Sequence, residues 1–144
     1  MKMQNTDPKQ DNVISFDSAM LKKQGSALAT ILTEIKSALR NLLKTGQETI
    51  IDLNNTPCDQ ECEDALLEIL GDGEVSATLN IFGCDKIQDT NIHGVWWGSH
   101  INDTGAIWTK AIYISYVPCI LPAQRDDVEY SVTVLDKRLT NTEI

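Results

Sequence analysis

Long apolar runs are missing from these 144 residues. A membrane-spanning helix needs about 18–20 consecutive apolar residues. The most apolar stretch, Ala111–Ala123, is broken by Ser115, Pro118 and Pro122. The first twenty residues are polar and hold no continuous apolar segment of the kind a secretory signal needs. Cysteine is sparse: Cys58, Cys62, Cys84 and Cys119 are too few to act as a disulfide framework, and no C-x-x-C pair occurs. These absences predict a cytoplasmic protein with no membrane insertion, whose thiols are free or metal-bound. Basic residues are also scarce, 12 against 21 acidic, for a net charge of −9. Residues 1–46 carry 7 basic and 4 acidic side chains, whereas residues 47–144 carry 5 and 17, a net −12. Such a body repels nucleic-acid phosphate, which excludes a nucleic-acid partner. A basic partner is its natural complement. No internal repeat or low-complexity segment is present.

What remains is an ordinary globular balance, 42% hydrophobic and 23% charged, in a length that suits one domain. Residues 1–15 read as a mobile polar tail and 16–144 as a single domain. From Phe16 to Leu43 the pattern is helical. Leu28, Ile31, Leu32, Ile35, Leu39, Leu42 and Leu43 recur at three- and four-residue spacing and form one stripe. Gly46 supplies a left-handed stop. Glu48–Leu53 reads as a short strand, with Asn54, Asn55 and Pro57 breaking it. A second, acidic helix follows, with Thr56 as its N-cap, Pro57 as its first residue and Asp59 at the capping-box position. Gly71 ends it.

Beyond Gly71 the period changes to two. Val75, Ala77, Leu79 and Ile81 alternate with polar residues. Lys86–Thr90, Gly94–Ile101 and Ile107–Val117 follow as further strands, with a turn at Asn102–Gly105. Short connections between neighbouring strands predict an antiparallel meander. Residues 126–139 fit both periods. Val128, Tyr130, Val132 and Val134 suit a strand. Leu121, Val128, Val132, Leu135 and Leu139 suit a helix, with Asp126 and Glu129 as a capping-box pair. The fold class is therefore α+β: an N-terminal amphipathic helix, a second short helix, and an antiparallel sheet of four to five strands with helices mainly on one face.

ILGDGEVSATL, then KIQDTNIHGVWWG, then IYISYVPCIL resembles the HupH/HyaF family of hydrogenase expression proteins. The matching positions are Leu70, Gly71, Gly73, Glu74, Val75, Ser76 and Ala77; Ile87, Gln88, Asp89 and Thr90; Gly94, Val95 and Trp96; and Val117 with Pro118. The resemblance runs from about Thr33 to Leu139 and favours a helix for the last segment. Asp89 stands where the family often has Glu, and Trp97 where a basic residue is more usual. The resemblance implies a cytoplasmic, non-enzymatic accessory protein for maturation of nickel–iron hydrogenase. Such a chaperone-like factor would bind the immature small subunit or other maturation proteins. It carries over no catalytic residue, cofactor or metal.

Several residues are candidates for contact with a partner. Glu61, Asp64, Glu68, Asp72 and Glu74 belong to a run of seven acids between Asp59 and Glu74 that contains no Lys or Arg. Gln88 lies within the family match. Gly71 and Gly73 do not make a phosphate cradle, because they follow a helix and open a strand, the reverse of the phosphate-binding order. Trp96 and Trp97 are consecutive in a strand and so point to opposite faces. One ring is expected to be structural, Trp96 by the resemblance, and the other, Trp97, to lie at the surface, where Trp is enriched at binding hot spots. A metal or iron–sulfur delivery protein using Cys58, Cys62, Cys84 and Cys119 is the alternative. Cys58 and Cys62 are four apart on a helix, and His93 is a further ligand candidate, but zinc sites usually show two tight cysteine pairs. Cys58 and Cys62 equally suit small buried hydrophobes. Residues 16–30 extend beyond the resemblance and would serve as the arm of a homodimer.

Overall fold

The computed structural model describes residues 26–80 and 83–141. The tail at 1–15, the helix start expected at Phe16 and the strand position of Ile81 lie outside these residues. Helix α1, Ser26–Thr45, buries Leu28, Ile31, Ile35, Ala38 and Leu42 at alternating spacings of three and four. Leu32 and Leu39 pack at the margin of that stripe, but Leu43 stands 79% exposed. Leu28, in the segment read as a dimerisation arm, is fully buried in the core of its own chain. Gly46 ends the helix at φ 75°, with its N–H donating to the Leu42 carbonyl. Strand β1, Thr49–Asp52, runs into a 3-10 turn at Leu53–Asn55.

Helix α2 spans Gln60–Leu70 and starts three residues later than the expected first residue, Pro57. Its N-cap is Asp59, whose carboxylate accepts from the Cys62 N–H at 2.8 Å. Thr56 lies four residues before the first helical residue, too far upstream to cap it, and its hydroxyl donates to the Asp52 carbonyl at 2.9 Å in the preceding turn. A carboxylate at this position also meets the positive end of the helix dipole. Asp59→Ala is expected to cost about 1 kcal/mol in urea unfolding, a typical loss for a removed cap. Thr56→Ala should cost less. Gly71, at φ 71°, closes the helix.

Four strands follow: β2 Ser76–Leu79, β3 Cys84–Asp89, β4 Val95–Ile101 and β5 Ile107–Ile114. All pairings are antiparallel and the sheet order is β1-β5-β4-β3-β2. β2 to β5 form the expected meander, and β1 closes the far edge on β5. β5 stops at Ile114 rather than Val117, because Ser115 turns the chain and its hydroxyl donates to the Val117 carbonyl at 2.8 Å.

Helices α1 and α2 lie against one face of the sheet. There Val95, Ile112, Ile114 and Ile51 join the helix stripes and Leu66 in a single apolar cluster. Burying each such aliphatic side chain contributes about 1.5–3 kcal/mol. The last segment is a helix, α3, Arg125–Asn141, against the strand propensity of its valines. Its first turn carries Asp126 and Asp127 and its last turn Arg138, charges that suit the dipole. Asp126 lies inside the first turn rather than at the cap. No residue of α3 is buried, and Val128, Val132, Leu135 and Leu139 line up exposed. Among the described residues no helix is long and apolar enough to cross a membrane.

Candidate partner-binding site

The loop Gly71–Val75 leaves α2 and is fastened to the end of β3. Gly73 N–H donates to the Asp89 carbonyl at 2.9 Å, and Asp89 N–H donates to the Val75 carbonyl at 2.8 Å. Asn91 N–H reaches the Leu70 carbonyl at 2.8 Å. The half-buried Gln88 amide donates to the carbonyls of Gly73 and Asp89, at 3.2 and 3.1 Å. The loop approaches β3 so closely that a Cβ on Gly73 would sit 2.6 Å from the Asp89 carboxylate. A Cβ on Gly71 would strike the Asn91 amide. Gly73→Ala is therefore expected to destabilise the fold by about 1–3 kcal/mol, the usual range for overpacking, in urea denaturation. The fastening holds Asp72, Glu74 and Val75 out to solvent on a fixed support.

Beside this loop lies an apolar cleft of about 560 Å³. Leu39, Leu42 and Leu43 of α1 line it together with Val75, Trp96 and Tyr116. Leu43, Val75 and Tyr116 are all more than half exposed, so the cleft mouth is itself apolar. Asp89 and His93 add polar groups to its lining. The turn before β4 is held by Thr90, which is buried and whose hydroxyl donates to the Val95 carbonyl at 2.7 Å.

The two tryptophans occupy opposite faces. Trp97 pairs with Ile112 and lies on the helix-covered side, half-buried against the core. It also borders a groove of about 380 Å³ lined by Ser76, Thr78, Lys86, Gln88 and Ser99. Trp96 pairs with Tyr113 on the other side, yet is only 9% exposed. Its indole N–H donates to the Ser115 carbonyl at 3.1 Å. On that same side Tyr113 and Ile87 crowd over Gly98, where a Cβ would meet the tyrosine ring at 2.5 Å. Burial raises the Tyr113 hydroxyl above its ordinary pKa, with Asp85 adding to the effect.

The seven acids between Asp59 and Glu74 divide by task. Asp59 caps α2, and Glu63 turns inward to Lys110 at 2.7 Å. Glu61, Asp64, Glu68, Asp72 and Glu74 are exposed and continue from one face of α2 into the loop beside the cleft. The cysteines do not assemble. Cys58 and Cys62 meet, Sγ to Sγ at 2.6 Å, whereas Cys84 lies on β3 and Cys119 lies beyond β5, its N–H on the Glu48 carboxylate. Among the described residues no three His, Cys, Asp or Glu side chains are placed to hold a metal ion. His93 is exposed, and His100 contacts Asp85 at 2.6 Å. Sequence reasoning missed Leu39, Val75, Asp89 and Tyr116 as cleft residues. The unusual exposure of Val75 and Tyr116 has no counterpart in the hydropathy pattern that would have marked them.

The family described as HupH hydrogenase expression protein, C-terminal conserved region, matches residues 26–142. Among solved structures, the hydrogenase expression protein HupH from Thiobacillus denitrificans ATCC 25259 is similar, with 34% sequence identity and a TM-score of 0.77. That likeness covers 82% of this chain and 98% of the other. No curated protein matches the chain.

Proposed function

Because the chain belongs to the HupH family of hydrogenase expression proteins, we propose that it is a non-enzymatic, chaperone-like assembly factor of the cytoplasm that holds the immature small subunit of nickel–iron hydrogenase. The observation that carries this reading is the apolar cleft walled by Trp96 and set beside exposed carboxylates at Asp72 and Glu74. An apolar cleft with an acidic margin suits a segment in which positive charge adjoins apolar residues. A twin-arginine leader, which hydrogenase small subunits typically carry, has that chemistry. Apolar contact would supply affinity, and the acids would speed and orient the encounter.

The test is co-purification of the small subunit with and without its leader over a range of salt. Stronger, salt-sensitive recovery of the leader-bearing form supports the reading. Equal, salt-insensitive recovery of both forms removes the leader from it.

A further inference from the structure

We propose that Cys58 and Cys62 form a reversible dithiol–disulfide site that exchanges with small uncharged disulfides at the entrance to α2. The geometry is specific to this pair. Their sulfurs lie 2.6 Å apart, about half an ångström beyond a disulfide bond of ~2.05 Å. Cys58 is partly exposed and Cys62 is 2% exposed. Cys58 therefore presents a sulfur to solvent with a second sulfur directly behind it. Ala27, Pro57 and Asp59 join the two cysteines around an open cleft of about 390 Å³, which gives a small reagent access. Among the described residues, neither Cys84 nor Cys119 has a second thiol in contact.

The exchange balances in two steps. Cys58 releases its proton to water, and its thiolate attacks the small disulfide. One S–S bond breaks, and the first small thiol leaves with a proton. Cys62 then loses its proton and attacks the Cys58 sulfur of the mixed disulfide, and the second small thiol leaves. Two S–H bonds become one S–S bond, and the two electrons reduce the small disulfide to two thiols.

The surroundings set the character of the site. Burial comes first among the causes that push the Cys58 thiol up to about 12, followed by Cys62 and the charges of Glu63 and Asp59. Little thiolate exists at neutral pH, so exchange is slow. Cys58 also gains no thiolate stabilisation, the feature that makes a disulfide strongly oxidising. The same carboxylates disfavour anionic reagents, which is why the partner class is an uncharged disulfide.

The experiment equilibrates the whole protein at pH 8.5 with mixtures of 2-hydroxyethyl disulfide and 2-mercaptoethanol. Samples are acid-quenched, denatured, alkylated and mapped by mass spectrometry. The expected result is a fall from four alkylatable thiols to two, with a peptide linking Cys58 to Cys62 and full recovery in dithiothreitol. The Cys84→Ser/Cys119→Ser variant should lose both of its remaining thiols. Cys62→Ala should stop at the mixed disulfide on Cys58. Persistence of all four thiols in the most oxidising mixture would overturn the proposal. So would a link that includes Cys84 or Cys119, or a stable adduct on Cys58 in the unaltered chain.

Discussion

Trp96→Ala is expected to lower the free energy of unfolding by about 3–5 kcal/mol, the range for truncating a buried large aromatic side chain. The ring is 9% exposed, lies on the side of the sheet that α1 and α2 do not cover, and closes one wall of the cleft. Its removal leaves a cavity and strands the Ser115 carbonyl, which accepts the indole N–H at 3.1 Å. Trp96→Phe keeps most of the volume and loses the hydrogen bond, so it should cost about 1–3 kcal/mol, the penalty of an unsatisfied buried acceptor. Trp97→Ala, from a half-exposed position, should cost less than Trp96→Ala. Urea denaturation with unchanged m-values checks all three. A loss below about 1 kcal/mol for Trp96→Ala, within reach of an ordinary substitution, would show that the ring does not brace the sheet.

Reversal of Glu61, Asp64 and Glu68 to Lys is expected to weaken capture of the leader-bearing small subunit about tenfold or more at low salt, mainly by slowing association. The three side chains are exposed on α2, and their reversal moves the formal charge from −9 to −3. The cap at Asp59 and the Glu63–Lys110 contact are untouched, so the fold should be retained. Exposed substitutions of this kind usually change stability by no more than about 0.5 kcal/mol each. The measurement is the association rate against ionic strength. The variant should lose most of the salt dependence of the parent chain. Unchanged binding would reduce the acidity of α2 to a solvated helix face.

Spacing and turn chemistry made much of this fold legible. Leu28, Ile31, Ile35 and Leu42 declared the buried stripe of α1, and Gly46 and Gly71 declared where the first two helices stop. The start of α2 was not legible, because Thr56 and Asp59 are both good capping residues and only the fold places Thr56 in the preceding turn, donating to the Asp52 carbonyl. The end of β5 was hidden for a similar reason, with β-branched and aromatic residues continuing past the point where Ser115 turns the chain. Residues 126–139 fit two periods, and α3 buries no side chain that would have decided between them. Alternation showed that Trp96 and Trp97 face opposite ways, but not which face the helices cover. The exposed acids were legible as charge. The cleft was not, because its walls come from α1, the loop after α2, β4 and the turn after β5. Proximity between such distant segments follows from the completed fold rather than from any local pattern.

The sheet ends on two strands of only four residues each, β1 and β2. Short edges offer little free backbone for an incoming strand to extend, so the client proposed above would be unlike a peptide added by main-chain pairing. In that proposal contact would run through side chains, which impose no backbone register on the client. Clients that share a positive patch next to an apolar stretch would then be interchangeable despite different sequences, and selectivity among them would fall to whatever else the client presents.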